Sequence, residues 1–263
     1  MKTYKFYSDK SLKEFWQQYW SRVKEDSDSI IDYTNYPFSS LKKYSKKDSK
    51  ILEIGCGTGR VLKGLYNEGY NVLGFDFDFS SLMSINQRKK YPVFLADILN
   101  IPVKDNSFDL ALCFGVINSI EDEKSRVNIL INIKKILKKD GIFIISLINY
   151  NLLRKMQRYL FSLRNIFKPH KHFYCWAASV STLSSFLSEH FDVISKNPGR
   201  SRQPLWYYAP FLRGARDVDE KIARVDDKQY KLNFLGEGLF QLFNFLCPYA
   251  ICGGTVFVCK NSK

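Results

Sequence analysis

Histidine and methionine are scarce in this chain, with three of each among 263 residues. His170, His172 and His190 are therefore the only imidazoles available as general bases. None of the six cysteines (Cys56, Cys113, Cys175, Cys247, Cys252, Cys259) falls into a CxxC pair, so a zinc framework or a disulfide scaffold has no support. Reduced, mostly buried thiols and no metal are expected. The longest apolar stretch, Leu239 to Cys252, is broken by Gln241, Asn244 and Pro248. It is shorter than the roughly 20 residues that span a bilayer. The opening MKTYKFYSDK lacks the apolar core and small-residue cleavage site of a secretory leader. A soluble, cytoplasmic protein is the expectation, without internal repeats or low-complexity tracts.

Acidic residues are also few: 26 against 40 lysines and arginines, for a net charge of +14. The excess is uneven, at +4 for residues 1–50, +1 for 51–150 and +9 for 151–263. Arginine supplies one cation of 11 in the first segment and eight of 17 in the last. The planar guanidinium suits carboxylate or phosphate better than an ammonium does, which places any anion recognition in the C-terminal part.

What is present is a core with 45% hydrophobic residues, enough for one large domain. Residues 1–50 read as one or two amphipathic helices, with Leu12, Phe15, Trp16, Tyr19, Trp20 and Val23 on one stripe and KKYSKKDSK as a solvated connector. From residue 51 the pattern alternates. Strand-like runs lie at Ile51–Ile54, Val72–Phe75, Val93–Leu95, Phe108–Phe114 and Ile142–Ile148, with helical stretches at Val61–Tyr66, Leu82–Lys89 and Arg126–Leu137 between them. Such alternation implies right-handed crossovers and a parallel sheet covered on both faces. A helical stripe from Leu152 to Phe167, flanked by Arg154, Lys155, Arg158 and Arg164, follows. Then come a helix near Ser179–Leu187, a strand at Phe191–Ser195, an aromatic excursion to about Gly253 and a last strand, GTVFVCK.

In an open parallel sheet, ligands sit beyond the C-terminal strand ends, where a glycine turn lets backbone N–H groups approach them. KILEIGCGTGRVL fails the dinucleotide pattern GxGxxG, because Arg60 occupies the third glycine position. No GK[ST] follows, so it is no Walker loop either. Glu53, Gly55, Gly57 and Gly59 instead form ExGxGxG at the end of a strand. This resembles motif I of the class I S-adenosylmethionine-dependent methyltransferases, and the resemblance runs across residues 50 to 150. VLGFDFD places Asp76 where that family's acid accepts both ribose hydroxyls. In FLADILNIPVKDNSFDLALCFGVINSI, Asp97 resembles the adenine-contacting acid, Ile98 its apolar neighbour and NSFDLALC the fourth strand; ILKKDGIFIISLIN resembles the fifth.

The resemblance implies an enzyme with S-adenosylmethionine as cofactor and a Rossmann-like α/β fold. That fold has a seven-stranded, mostly parallel sheet with helices on both faces, its last strand antiparallel, plus N-terminal helices and a C-terminal helical lid insertion. One domain over 1–263 is expected: a helical cap (1–50), a cofactor-binding core (51–150), substrate-covering insertions (151–175 and 198–252) and the end of the core (176–197 and 253–263). The implied cofactor-binding set is Glu53, Gly55, Gly57, Gly59, Asp76, Phe77, Asp97, Ile98, Phe114 and Asn118. A carboxylate can accept both donors of a vicinal diol in charge-assisted bonds, and Glu53 suits an ammonium. Asp78 departs from the family pattern and reads as a helix cap. FGVINSI lacks the (D/N)PPY of enzymes that methylate exocyclic amino groups of nucleic-acid bases.

Methyl transfer from a sulfonium rests largely on positioning, with a base needed only when the nucleophile carries a proton. His170, His172 and Tyr174 in KPHKHFYCW are the candidate base and orienting groups, or else they belong to a surface loop. Arg200, Arg202 and Trp206 are candidates for the substrate side. Three readings compete: an enzyme acting on a small-molecule or lipid-linked, anionic acceptor, with the 152–167 stripe resting on an anionic membrane surface or packed as an ordinary lid; an RNA or protein methyltransferase using the basic C-terminal region; and a non-catalytic cofactor-binding protein. No recognised RNA-binding module is appended, which counts against nucleic acid.

Overall fold

The computed structural model describes residues 1–8, 11–12, 14–16, 38–86, 90–152, 154–155, 172–199, 210–216 and 230–262. Five apolar runs become the parallel strands β2 (Lys50–Ile54), β3 (Asn71–Asp76), β4 (Val93–Leu95), β5 (Phe108–Phe114) and β6 (Leu137–Ile148). Two further strands, β8 (Asp192–Pro198) and β11 (Gly254–Lys260), complete a seven-stranded sheet of order β4-β3-β2-β5-β6-β11-β8. The last strand, β11, runs antiparallel to both neighbours, pairing Gly254–Lys260 with Ile148–Ile142 on one side and Thr255–Lys260 with Pro198–Asp192 on the other. This is the sheet that the resemblance implies. The chain starts at β2, builds outward to β4 and returns to β5, so the order reverses between β2 and β5.

Both faces are buried, which explains why the strands read as continuous apolar runs. Successive side chains point to opposite faces. Ile51, Leu110, Leu112, Val256 and Val258 meet Leu62 and Leu65 of α2 (Arg60–Asn67) and Leu41 of α1 (Phe38–Tyr44). Leu52, Ala111, Cys113 and Phe257 meet Ile129, Leu130 and Ile133 of α4 (Glu123–Ile136) and Leu183 and Leu187 of α5 (Val180–Ser188). Helix starts follow local chemistry, since Asp78, Asp122 and Ser179 each accept a backbone N–H at the N-termini of α3 (Phe79–Ile85), α4 and α5. All six cysteines are free thiols, five of them buried, and burial pushes the Cys113 thiol up to about 12.

The structure corrects the helical reading of the N-terminus. Tyr4–Ser8 is a strand, β1, and pairs antiparallel with β7 (His172–Ala177), which begins within the insertion expected over 151–175. Phe15 and Trp16 do lie in a helical turn, whereas Tyr19, Trp20 and Val23 lie outside the described residues. The expected connector is shorter than read, because Lys42–Tyr44 complete α1. The excursion after β8 holds a second two-stranded ribbon, β9 (Arg213–Arg216) with β10 (Tyr230–Leu232). It is followed by α6 (Phe234–Leu246) and α7 (Pro248–Ile251), two helices in the stretch where an insertion is expected. No described helix is long and apolar enough to cross a membrane.

Candidate functional site

The glycine turn leaves β2 at the point where the sheet order reverses. Gly55 and Cys56 donate backbone N–H groups to the Phe75 carbonyl at 2.9 and 3.0 Å, which ties the turn to β3. Gly55 has φ +72°, and a Cβ there would lie 2.3 Å from Cγ2 of Val116, beyond the end of β5. A side chain would both strain the backbone and close the gap between the strands. Gly59, at φ +81°, begins α2 without a side-chain cap of its own, and the Leu62 N–H in the first turn hydrogen-bonds the buried Glu53 carboxyl instead.

Two carboxyls lie against this turn. Asp76 ends β3 and is buried; its Oδ2 accepts from the Gly57 N–H at 2.8 Å and its Oδ1 from the Asp78 N–H at 3.0 Å. Carboxylate oxygens accept more than one donor each, which suits the two hydroxyls of a diol. Burial raises the Asp76 carboxyl above its ordinary range, against those backbone hydrogen bonds. Glu53 is buried more deeply, and burial pushes it up to about 8 despite the nearby charge of Arg60. Its Oε2 has no hydrogen-bond partner in the protein. A buried acceptor without a partner costs about 1–3 kcal/mol, and a cationic donor would satisfy it. Asp78 is spent locally: it accepts from the Ser81 N–H and hydroxyl and from the Ser80 hydroxyl, and these bonds outweigh burial and hold it below its usual range.

Beyond β4, Ala96 donates to the Asp76 carbonyl at 3.1 Å, drawing the next turn toward the acid. Asp97 in that turn is exposed and accepts from the Leu99 N–H at 2.9 Å, while Ile98 is buried. Phe77 is 57% exposed beside Asp76, an open apolar surface of the kind a flat base covers. Phe114 ends β5, half-buried. Asn118 has both ends of its amide engaged by the backbone. Its Nδ2 donates to the Trp176 carbonyl at 2.8 Å and its Oδ1 accepts from Ile148 N–H at 3.1 Å. The residue is buried and joins the turn after β5 to β6 and β7.

His172 is exposed at the start of β7, and Tyr174 packs edge-on against Phe15 with ring centroids 4.8 Å apart. His170, Arg200, Arg202 and Trp206 lie outside the described residues. The structure also brings together residues that the sequence reading did not single out. Tyr150, just past β6, stacks on Tyr4 at 3.6 Å and lies 6.3 Å from Phe6, over which the Arg154 guanidinium sits at 5.7 Å. The alternating aromatics of YKFYS were the available signal, because β-branched and aromatic residues favour strands. Together they form an aromatic wall with one cation, standing at the C-terminal ends of the parallel strands.

Comparisons with known proteins agree with this geometry. A family model described as a methyltransferase domain matches residues 52–145. An uncharacterised protein of Methanocaldococcus jannaschii is 30% identical over 157 residues, 59% of this chain and 65% of that protein. A probable tRNA methyltransferase 9B of Mus musculus is 31% identical over 96 residues, 36% of this chain and 21% of that protein. A ubiquinone biosynthesis O-methyltransferase of Rickettsia conorii is 28% identical over 133 residues, covering 48% and 45%. The chain thus spans less than two thirds of the length of these relatives. Among solved structures, a SAM-dependent methyltransferase of Methanosarcina mazei superposes with TM-score 0.56 over 86% of this chain and 97% of that one, at 17% identity, which establishes a shared fold.

Proposed function

We propose that this chain, which carries a methyltransferase domain of the class I fold with S-adenosylmethionine as its cofactor, transfers a methyl group to a small-molecule or lipid-linked acceptor. The donor half of the reading rests on one observation, the partnerless buried Oε2 of Glu53 beside the doubly held carboxylate of Asp76. A buried acid with one oxygen lacking a donor and a second acid held in place by backbone N–H groups suit an ammonium and a ribose diol. Glu53 would hold the amino group of the cofactor, Asp76 its ribose and the Phe77–Ile98 turn its base. Bound cofactor supplies a methyl already activated on a sulfonium. The protein's part is to orient the acceptor in line and exclude water.

The aromatic wall of Tyr4, Phe6 and Tyr150, with Arg154 beside it, supports a flat or apolar acceptor bearing negative charge. A surface built for a duplex would present cations without such a cover. His172 and Tyr174 stand on the strand paired with this wall, in reach of a role as base and orienting group for a hydroxyl acceptor. RNA is the second reading, supported by the +9 charge of residues 151–263. The tRNA-named relative aligns over 96 residues, 21% of its own length, so it adds little about the acceptor. Release of S-adenosylhomocysteine tests the readings: we expect turnover with a lipid-soluble extract of small phenolic and carboxylic acceptors and none with bulk tRNA. Turnover with tRNA alone would reverse the assignment, and none with any acceptor would support a binding protein.

A further inference from the structure

We infer that Gly115 keeps open the path by which an acceptor meets the methyl group of the cofactor. This rests on the donor reading above and concerns the passage that leads out of that site. In the sheet, β5 lies between β2 and β6. The carboxyls suited to ribose and ammonium stand toward the C-terminal ends of β3 and β2, and the aromatic wall stands past β6, so whatever joins cofactor to acceptor crosses the end of β5. Three residues occupy that crossing, Phe114, Gly115 and Val116. Val116 is committed to the glycine turn, where its Cγ2 fills the position of a Gly55 Cβ. Phe114 is half-buried and packs on the core beneath α2. Gly115 alone is exposed, and no heavy atom of the described residues lies within 4 Å of the point where its Cβ would stand.

The backbone around this open space is held on both sides. Gly115 donates its N–H to Ser146 Oγ of β6 at 3.0 Å, and Ser119 donates to the Val116 carbonyl at 2.9 Å where the 3₁₀ turn begins. The left-handed conformation, φ +77°, does not by itself call for glycine. Asn106 and Asp140 stand at φ +52° and +62° in the same chain, because short polar side chains enter that region where space allows. Other glycines have a local cause. A Cβ at Gly59 would lie 3.1 Å from Ile85, and Gly69 closes α2 with its N–H on the Tyr66 carbonyl. Gly115 neither packs against a neighbour nor ends a helix. What it supplies is room.

Methyl transfer needs that room. The acceptor's lone pair forms a bond to the methyl carbon while the carbon–sulfur bond breaks and its electron pair returns to sulfur; a proton on the acceptor leaves to solvent or to a base. The reacting atoms must start in line and about 3–3.5 Å apart, so a side chain beside the methyl would hold them off.

S-adenosylmethionine and S-adenosylhomocysteine differ by that methyl group and its charge, so the space can be tested by calorimetric binding to the full chain, with no acceptor present. We expect Gly115→Ala to weaken S-adenosylmethionine about tenfold or more and to leave S-adenosylhomocysteine within about twofold, since one extra methyl overfills a site only when the other methyl is there. Gly115→Asn, which tolerates a positive φ, should discriminate in the same way without backbone strain, so unfolding of the alanine variant would not end the test. Equal weakening of both ligands, or of neither, would overturn the inference while the donor reading stands. Wild-type protein that binds neither ligand would overturn the donor reading and the inference with it.

Discussion

Glu53 is the residue on which ligand binding and proton binding meet. Burial raises its carboxyl from 4.5 to about 8, so near neutral pH the folded protein holds it as the neutral acid while the unfolded chain ionises it. The folded state then binds the extra proton, and Glu53 supports stability most fully below pH 4.5, losing that contribution as pH rises through about 8. A cationic amino group at Oε2 reverses the preference and drives the proton off. We expect S-adenosylhomocysteine to bind more tightly as pH rises toward 8, by up to about tenfold per unit, with release of about one proton at pH 6.5 in calorimetry run in two buffers of different ionisation enthalpy. Glu53→Gln should abolish the release. Identical affinity across this range, with no proton exchanged, would mean that the ammonium sits elsewhere.

Between elements, Asn118 shows how a polar side chain can serve the fold. It lies in a turn of 3₁₀ helix after β5 and satisfies the Ile148 N–H of β6 and the Trp176 carbonyl of β7. Trp176 returns the contact by donating its indole N–H to Ile117 at 2.9 Å, and Arg126 stacks on its ring at 4.4 Å. Asn118→Leu keeps the volume and orphans two buried backbone groups, each worth about 1–3 kcal/mol. A loss of about 2–5 kcal/mol in denaturant unfolding is expected, with the S-adenosylhomocysteine dissociation constant unchanged. A weakened dissociation constant at unaltered stability would return Asn118 to the ligand.

The same element shows where sequence reasoning reached and where it stopped. The core strands were legible because burial on both faces leaves a continuous apolar run, and Asp78 was legible as a cap because its role depends on residues within one turn. Asn118 was not, because its partners lie 30 and 58 positions away. The β1–β7 ribbon was missed for a related reason. Its strands are far apart in the chain, five and six residues long, and too short to show a period. Their aromatic content was the only local trace. Position in the fold turned Tyr4, Phe6 and Tyr150 into a wall.

At the scale of the whole molecule, a bound cofactor is expected to act as a brace. The turn after β2, the end of β3 and the loop after β4 each hold one group suited to it, so binding should couple three crossovers into one unit. Ligand at about 100 times its dissociation constant adds roughly 2.7 kcal/mol, or about 5–10 °C in Tm for a chain of this size. S-adenosylmethionine and S-adenosylhomocysteine should both produce that shift in thermal melts and NAD should not. Asp76→Ala should remove most of it. An equal shift with NAD would contradict the glycine-turn chemistry.

The order of the sheet also sets a schedule. β11 is the last strand in the chain, yet it sits between β6 and β8 and supplies hydrogen bonds to both. While the protein is being synthesised, chains fold as they emerge, and β6 and β8 leave the ribosome well before the strand that separates them. Until β11 arrives, each presents an open edge of unpaired N–H and C=O groups, a template for pairing with another chain. Translation speed over the aromatic stretch between β8 and β11 thereby governs how long the nascent sheet stays open to aggregation or chaperone capture.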